Sequence, residues 1–256
     1  MFNKVIKIQD ADVVKWAELT WPEFEKVDKK VVLLPVGVVE AHGPHLPLGT
    51  DALMAMYIAE RAAEEAGVLL LPPIWYGYTY VLDKFPGTIS ISQETLYRLY
   101  KDVFLEAARN GVKYLVVVNG HGGNVDLLRT AAREVAKTTS LVVVLINWWV
   151  DLAKEARRRV LETPEGHAAE DETSEVMAAY PHLVREVPRD VDEWVEARYA
   201  VFGREVNQLL YQKAVQGYPS KASREKGEAI LKAAVEELVQ LIKELKEDRL
   251  PLNKVA

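Results

Sequence analysis

Glu40, His42, His45 and Asp51 fall within one short stretch of the chain, where Gly37, Gly43, Pro44, Pro47 and Gly49 impose tight turns. Carboxylates and imidazoles have no packing reason to crowd such a loop. Together they supply the mixed oxygen and nitrogen donors that suit zinc, manganese or iron(II). Two further histidines sit in comparable settings, His121 in Asn119-Gly-His-Gly-Gly-Asn124 and His167 in Gly166-His-Ala-Ala-Glu-Asp-Glu-Thr-Ser174. The chain has no cysteine, so any metal must be held by His, Asp and Glu.

Two ions held close together need a bridging carboxylate, terminal carboxylates and imidazoles, and a position left to water. Asp51 is the expected bridge, with Glu40 and His121 on one ion and His42 on the other. Glu172 is the preferred last ligand, and Glu170 and Asp171 compete with it because successive helical residues point in different directions. His45 is expected beside the ligands, hydrogen-bonding a metal-bound carboxylate or meeting the substrate. Gly122 and Gly123 clear space for a substrate, and Thr88, in Phe85-Pro-Gly-Thr88, is a further candidate contact. The glycines around His121 do not form a phosphate loop, since the spacing and the lysine of that motif are missing.

These residues need a frame that gathers them. Val31–Val36, Val68–Leu71, Tyr114–Val118 and Leu141–Ile146 are short, apolar and rich in branched side chains, the pattern of strands buried on both faces. Helical periodicity separates them over 52–66, over 93–110 with Leu96, Leu99, Val103 and Ala107 on one face, and over 125–137. The alternation predicts an α/β fold, a single domain over residues 1–256 with a mainly parallel central sheet flanked by helices. Ligands gather at the carboxyl ends of such strands. Glu40 and His42 follow the first strand and His121 the third, so residues far apart in sequence meet at one rim. Thr50 is placed to cap the helix that Asp51 begins.

A last long helix over 223–246 carries Leu231, Ala234, Val235, Leu238, Leu241, Ile242 and Leu245 at packing spacing. Arg157-Arg-Arg159 reads as a solvated helix face. Trp75, Tyr76, Tyr78, Tyr80, Trp148 and Trp149 read as core or subunit interface. A net charge of −6 excludes a general nucleic-acid binder. No apolar run approaches a membrane span and the N-terminus is too polar for a signal peptide, so the expected setting is the cytoplasm and the expected partner a small-molecule substrate.

Five motifs carry a resemblance: Pro35 through Asp51, Phe85-Pro-Gly-Thr-Ile-Ser-Ile91, Asn119 through Asn124, Glu172-Thr-Ser174 after Gly166-His167, and Gly217-Tyr-Pro-Ser-Lys-Ala-Ser-Arg-Glu-Lys-Gly-Glu228. On them the chain resembles the creatininase (creatinine amidohydrolase) family. The resemblance implies a hydrolase of a non-peptide amide or cyclic amide C–N bond with two divalent ions, Zn, Mn or Fe(II), in a homo-oligomer, often a hexamer. It implies that Glu40, His42, Asp51 and His121 are ligands and that His167 transfers protons. Creatininase itself is similar around His121 but carries an aromatic residue and a ligating Glu where this chain has Gly122 and Gly123. That difference leaves Glu172 as the replacement ligand and turns the expectation from creatinine toward a formylaminopyrimidine nucleotide, whose deformylase shares the Gly-His-Gly-Gly-Asn motif. Peptide trimming in cofactor maturation and a non-catalytic metal-binding protein are the alternatives.

Overall fold

Val31–Val36 and Tyr114–Asn119 are buried along their whole length, as branched apolar residues must be when helices cover both faces of a sheet. The structure is a computed structural model and describes residues 13–187 and 191–252; the polar segment 1–8 lies outside the described residues. The elements run α1 (Trp21–Lys26), β1 (Val31–Val36), α2 (Thr50–Ala66), β2 (Leu69–Leu70), α3 (Gln93–Arg109), β3 (Tyr114–Asn119), α4 (Val125–Ala136), β4 (Val142–Asn147), α5 (Trp148–Asp151), α6 (Lys154–Val160), α7 (Glu170–Ala179), α8 (Arg204–Leu210) and α9 (Arg224–Lys246). Among the described residues, no helix is long and apolar enough to cross a membrane.

All strand pairs are parallel, in the order β2-β1-β3-β4. Side chains alternate across the sheet. Val31, Leu33, Val116 and Val118 pack with α2 and α9 on one face, and Val32, Leu34, Val36, Leu115 and Val117 with α3 and α4 on the other. Each such Val or Leu contributes roughly 1.5–3 kcal/mol when fully buried. The chain leaves β1 for β2 on one side and reaches β3 on the other, so the strand order switches between β1 and β3. The register pairs Val36 with Asn119 and aligns the carboxyl ends of these two strands at that switch.

Three packing expectations are corrected. The buried stripe of α3 is Leu96, Tyr100, Phe104 and Ala107, and Leu99 is exposed, because the aromatic rings fill the core positions. Thr50 is the first residue of α2 rather than its cap; Gly49 precedes it, and the Thr50 hydroxyl donates to Pro47 O at 2.7 Å. Arg157 is buried rather than solvated, held against Asp171 and Glu175. The helix α9 packs within the chain, against α2 and α7.

Candidate metal centre

Asp51 occupies the first turn of α2, where the helix dipole favours a carboxylate. Gly120, just past β3, admits this turn: a Cβ there would collide with the Asp51 carbonyl. The two Asp51 oxygens face opposite ways. Oδ1 lies 2.9 Å from His42 Nε2 and Oδ2 lies 2.8 Å from His121 Nδ1. Glu40 Oε1 is 3.4 Å from the same His121 nitrogen, and Glu172 Oε2 is 3.6 Å from His42 Nε2. Two groups able to hold an ion therefore share Asp51, one with Glu40 and His121 and the other with His42 and Glu172.

Backbone carbonyls set the ring orientations. His42 Nδ1 donates to Glu40 O at 3.1 Å, and His121 Nε2 donates to Tyr78 O at 2.9 Å. In the neutral tautomer each ring therefore turns its bare nitrogen toward the carboxylates, the way metal-ligating imidazoles are fixed from behind. Glu40 Oε2 is buried with no hydrogen-bond partner, an acceptor that a cation would satisfy. The donor set and this orphaned oxygen fit divalent metal.

The electrostatics agree. Burial alone would depress His42, but the charges of Asp51 and Glu172 push it up to about 10. His121 rises to about 9 against the same burial, through Glu40 and Asp51. Burial opposes ionisation of Asp51, yet His42 and His121 hold it below the usual carboxylate range, while burial raises Glu172 and Glu40. Without metal the imidazoles keep protons where ions would sit, so metal uptake must release them.

His167 comes from the loop before α7. Its backbone pairs with Gln216 in both directions at 2.9 Å, and its Nε2 donates to Ala41 O at 2.8 Å. Nδ1 is left bare, 4.0 Å from Glu40 Oε1. The ring centroid is 4.2 Å from that of His42 and 5.6 Å from that of Tyr211. Burial, reinforced by the His42 charge, lowers it to about 3 and keeps it neutral.

The competing acids separate cleanly. Glu170 accepts from Thr163 N and from Lys226 Nζ, on the far side of the helix. Asp171 accepts from Gly166 N and faces Arg157. Of the three, Glu172 is the one that reaches His42. The motif over 217–228 serves as the backing of this helix, with Lys226 on Glu170 and Ser223 N donating to Ser174 Oγ.

The site opens into a cavity of about 460 Å³, walled by Glu40, Asp51, His121, Gly122, Gly123, His167 and Glu172 and, beyond them, by Tyr78, Tyr80, Trp149, Glu165, Asp171, Tyr211 and Gln216. His45 and Thr88 do not belong to this wall. His45 Nε2 meets Thr173 Oγ1 at 2.9 Å rather than a carboxylate, and the Thr88 hydroxyl accepts from Ala41 N at 3.0 Å, bracing the ligand loop from outside. Tyr78, Tyr80 and Trp149, read from sequence as core or subunit interface, line the cavity, whereas Trp148 is buried. Tyr211 and Gln216 were not foreseen. A single Tyr or Gln carries no spacing signal, and the His167–Gln216 bridge is a tertiary contact.

Gly123 explains a local departure. A Cβ there would collide with Tyr78 O, the carbonyl that orients His121, so a ligating side chain has no place at this position. Nothing lies within 4 Å of a Cβ built on Gly122, which leaves cavity where an aromatic ring would stand.

Known proteins carry the same frame. A family profile described as creatininase, creatinine amidohydrolase, matches residues 17–242. The creatinine amidohydrolase of Pseudomonas putida is 34% identical over 254 residues, covering 89% of this chain and 95% of that one. A formylaminopyrimidine nucleotide deformylase of Methanobrevibacter ruminantium is 26% identical over 180 residues, covering 68% and 70%. A crystal structure of creatinine amidohydrolase superposes with a TM-score of 0.81 at 31% identity, covering 94% of this chain and all of that one. Manganese and zinc–zinc forms of creatininase each superpose with a TM-score of 0.78 at 32% identity, covering 91% and 92% of this chain and 98% of each solved chain. With the profile spanning most of its length and the fold matching over nearly all of it, the chain belongs to the creatininase family, whose members include metal-dependent amidohydrolases.

Proposed function

We propose that this protein hydrolyses an amide or cyclic amide C–N bond of a small molecule at a dinuclear centre. Glu40, Asp51 and His121 would hold one ion, and His42, Asp51 and Glu172 would hold the other. The observation that carries the reading is the pair of donor groups sharing Asp51. Each group has three protein donors beside an open cavity, which leaves positions for water and substrate, as a catalytic site requires and a closed structural site does not. When bound, two divalent ions would acidify water and polarise the substrate carbonyl.

The remaining steps fall to the chain. His167, with Nε2–H committed to Ala41 O, presents Nδ1 as a proton acceptor. It takes a proton from the attacking water and returns it to the departing nitrogen. Tyr78, Tyr80, Trp149 and Tyr211 give the cavity an aromatic wall suited to a planar substrate. Of the carboxylates at the cavity, Glu40, Asp51 and Glu172 would be neutralised by the ions and Glu165 and Asp171 stand against Arg157, so charge at the wall does not set a phosphorylated amide apart from an uncharged one. A cyclic or formylated amide suits this cavity, with creatinine and the formylaminopyrimidine nucleotide as the two substrates to compare. We infer a homo-oligomer from the resemblance, and light scattering tests it.

The experiment is a turnover assay on metal-loaded protein with creatinine, the formylaminopyrimidine nucleotide and its dephosphorylated nucleoside. Metal-dependent turnover of at least one of the three is expected. Formate release from the nucleotide would assign a deformylase and creatinine turnover a creatininase, and absence of hydrolysis in a wider panel of amides would overturn the activity.

A further inference from the structure

Arg157 is 1% exposed and lies beside the cavity wall, outside the donor groups described above. Its guanidinium carbon stands 4.9 Å from the centroid of the Trp148 ring. Nη2 lies 2.8 Å from Glu175 Oε1, and Nη1 lies 3.4 Å from Glu165 Oε2 and 3.6 Å from Asp171 Oδ2. Asp171 and Glu175 are one turn apart on α7 and so share a face. Glu165 belongs to the loop that presents His167. The second Asp171 oxygen, Oδ1, accepts from Gly166 N at 3.3 Å, beside His167 itself.

A buried ion cluster is a poor source of stability, because desolvation offsets the attraction. A planar fork of five donors is instead well suited to fixing geometry. Here Nη1 donates to Glu165 and faces Asp171, and Nη2 stands against Glu175 at ion-pair distance, so the guanidinium joins the segment before His167 to the helix whose first turn bears Glu172. Glu172 Oε2 also accepts from Ala168 N at 2.6 Å, so loop and helix begin as one unit.

We propose that Arg157 is a positioning residue: it clamps the Glu165–His167 segment to the Asp171–Glu175 face of α7 and thereby sets Glu172 and His167 against the Asp51-centred site. The clamp rests on the dinuclear reading. It acts through Asp171, Glu165 and Glu175 and touches neither ion nor substrate.

The test uses the full chain stripped of metal and titrated with Zn²⁺ or Mn²⁺ in a calorimeter, with thermal unfolding in parallel. The variants are Arg157→Lys and the double variant Arg157→Met/Glu175→Met, which replaces both partners of the shortest contact by apolar side chains. The ion held by Glu40, Asp51 and His121 is expected to bind as in the parent. The ion held by His42, Asp51 and Glu172 is expected to bind roughly 10–100-fold more weakly in the double variant, the scale of losing a support behind a ligand. Arg157→Lys should fall between, since an ammonium keeps the charge but not the fork. Unchanged affinity for both ions in a folded double variant, or in Arg157→Lys if the double variant does not fold, overturns the clamp alone. Fewer than two ions bound by the parent overturns the dinuclear reading, and the clamp with it.

Discussion

Removing Asp51 and removing Glu172 must have different consequences if the two donor groups are real. Asp51 belongs to both, Glu172 to one. Asp51→Ala leaves each group with two donors, and Glu172→Ala leaves the Glu40–Asp51–His121 group intact. Metal quantitation after exhaustive dialysis should therefore fall from two ions per chain to none in Asp51→Ala and to one in Glu172→Ala. Stability supplies a second measure. An ion at a thousand times its dissociation constant stabilises the fold by ~4 kcal/mol, so two independent sites give ~8 kcal/mol. In a chain of this size each kcal/mol shifts Tm by roughly 2–4 °C. Metal should then raise Tm by about 16–32 °C in the parent, about half of that in Glu172→Ala, and hardly at all in Asp51→Ala. Glu172→Ala with two tightly bound ions would refute the assignment of the second site, and Asp51→Ala with both would refute the bridge.

His167→Ala should keep both ions and lose ~10²–10⁴ in kcat, the usual scale for a lost proton-transfer group; full activity in a steady-state assay would remove that role. Gly123→Ala should displace the Tyr78 carbonyl that orients His121. It should weaken metal binding by roughly 10–100-fold, and an unaltered calorimetric titration would contradict this. Burial, only partly offset by Arg157, raises Glu175 from its ordinary 4.5 to about 8. Between those values the folded chain holds a proton that the unfolded chain has released, so this stability contribution is fully present below pH 4.5 and is lost as pH rises toward 8. Over that window the stability of the parent should fall relative to that of Glu175→Gln by up to ~1.4 kcal/mol per pH unit, as read by denaturation of both; an equal slope in both would assign the proton elsewhere.

The fold was legible because its cause is local. Strands buried on both faces must be apolar throughout, and their carboxyl ends must be where the turn-rich motifs begin, so Val36 and Asn119 point to the site before any coordinate does. Leu99 was misplaced in the core because several helical faces of α3 carry apolar residues, and ring size decided in favour of Tyr100 and Phe104. The ligand groups were legible for a related reason. A carboxylate or imidazole in a glycine-rich turn has few structural uses, so residue type and place already imply chemistry.

Arg157 shows where that logic stops. Three arginines in a row on a short helix read as a wet face, since a lone guanidinium is costly to bury and nothing nearby in sequence neutralises it. Its partners Glu165, Asp171 and Glu175 lie 8 to 18 residues downstream and meet it only when α6 and α7 converge beside the cavity. Glu172 illustrates the same limit from the other side. Sequence narrowed the last ligand to three adjacent acids, but the choice among them is made by partners outside the motif: Lys226 draws Glu170 outward and Arg157 draws Asp171 sideways. Glu172 reaches His42 because its neighbours are already engaged. The candidate donors are thus written in the motif, whereas the residues that decide which of them face one another are scattered through the fold.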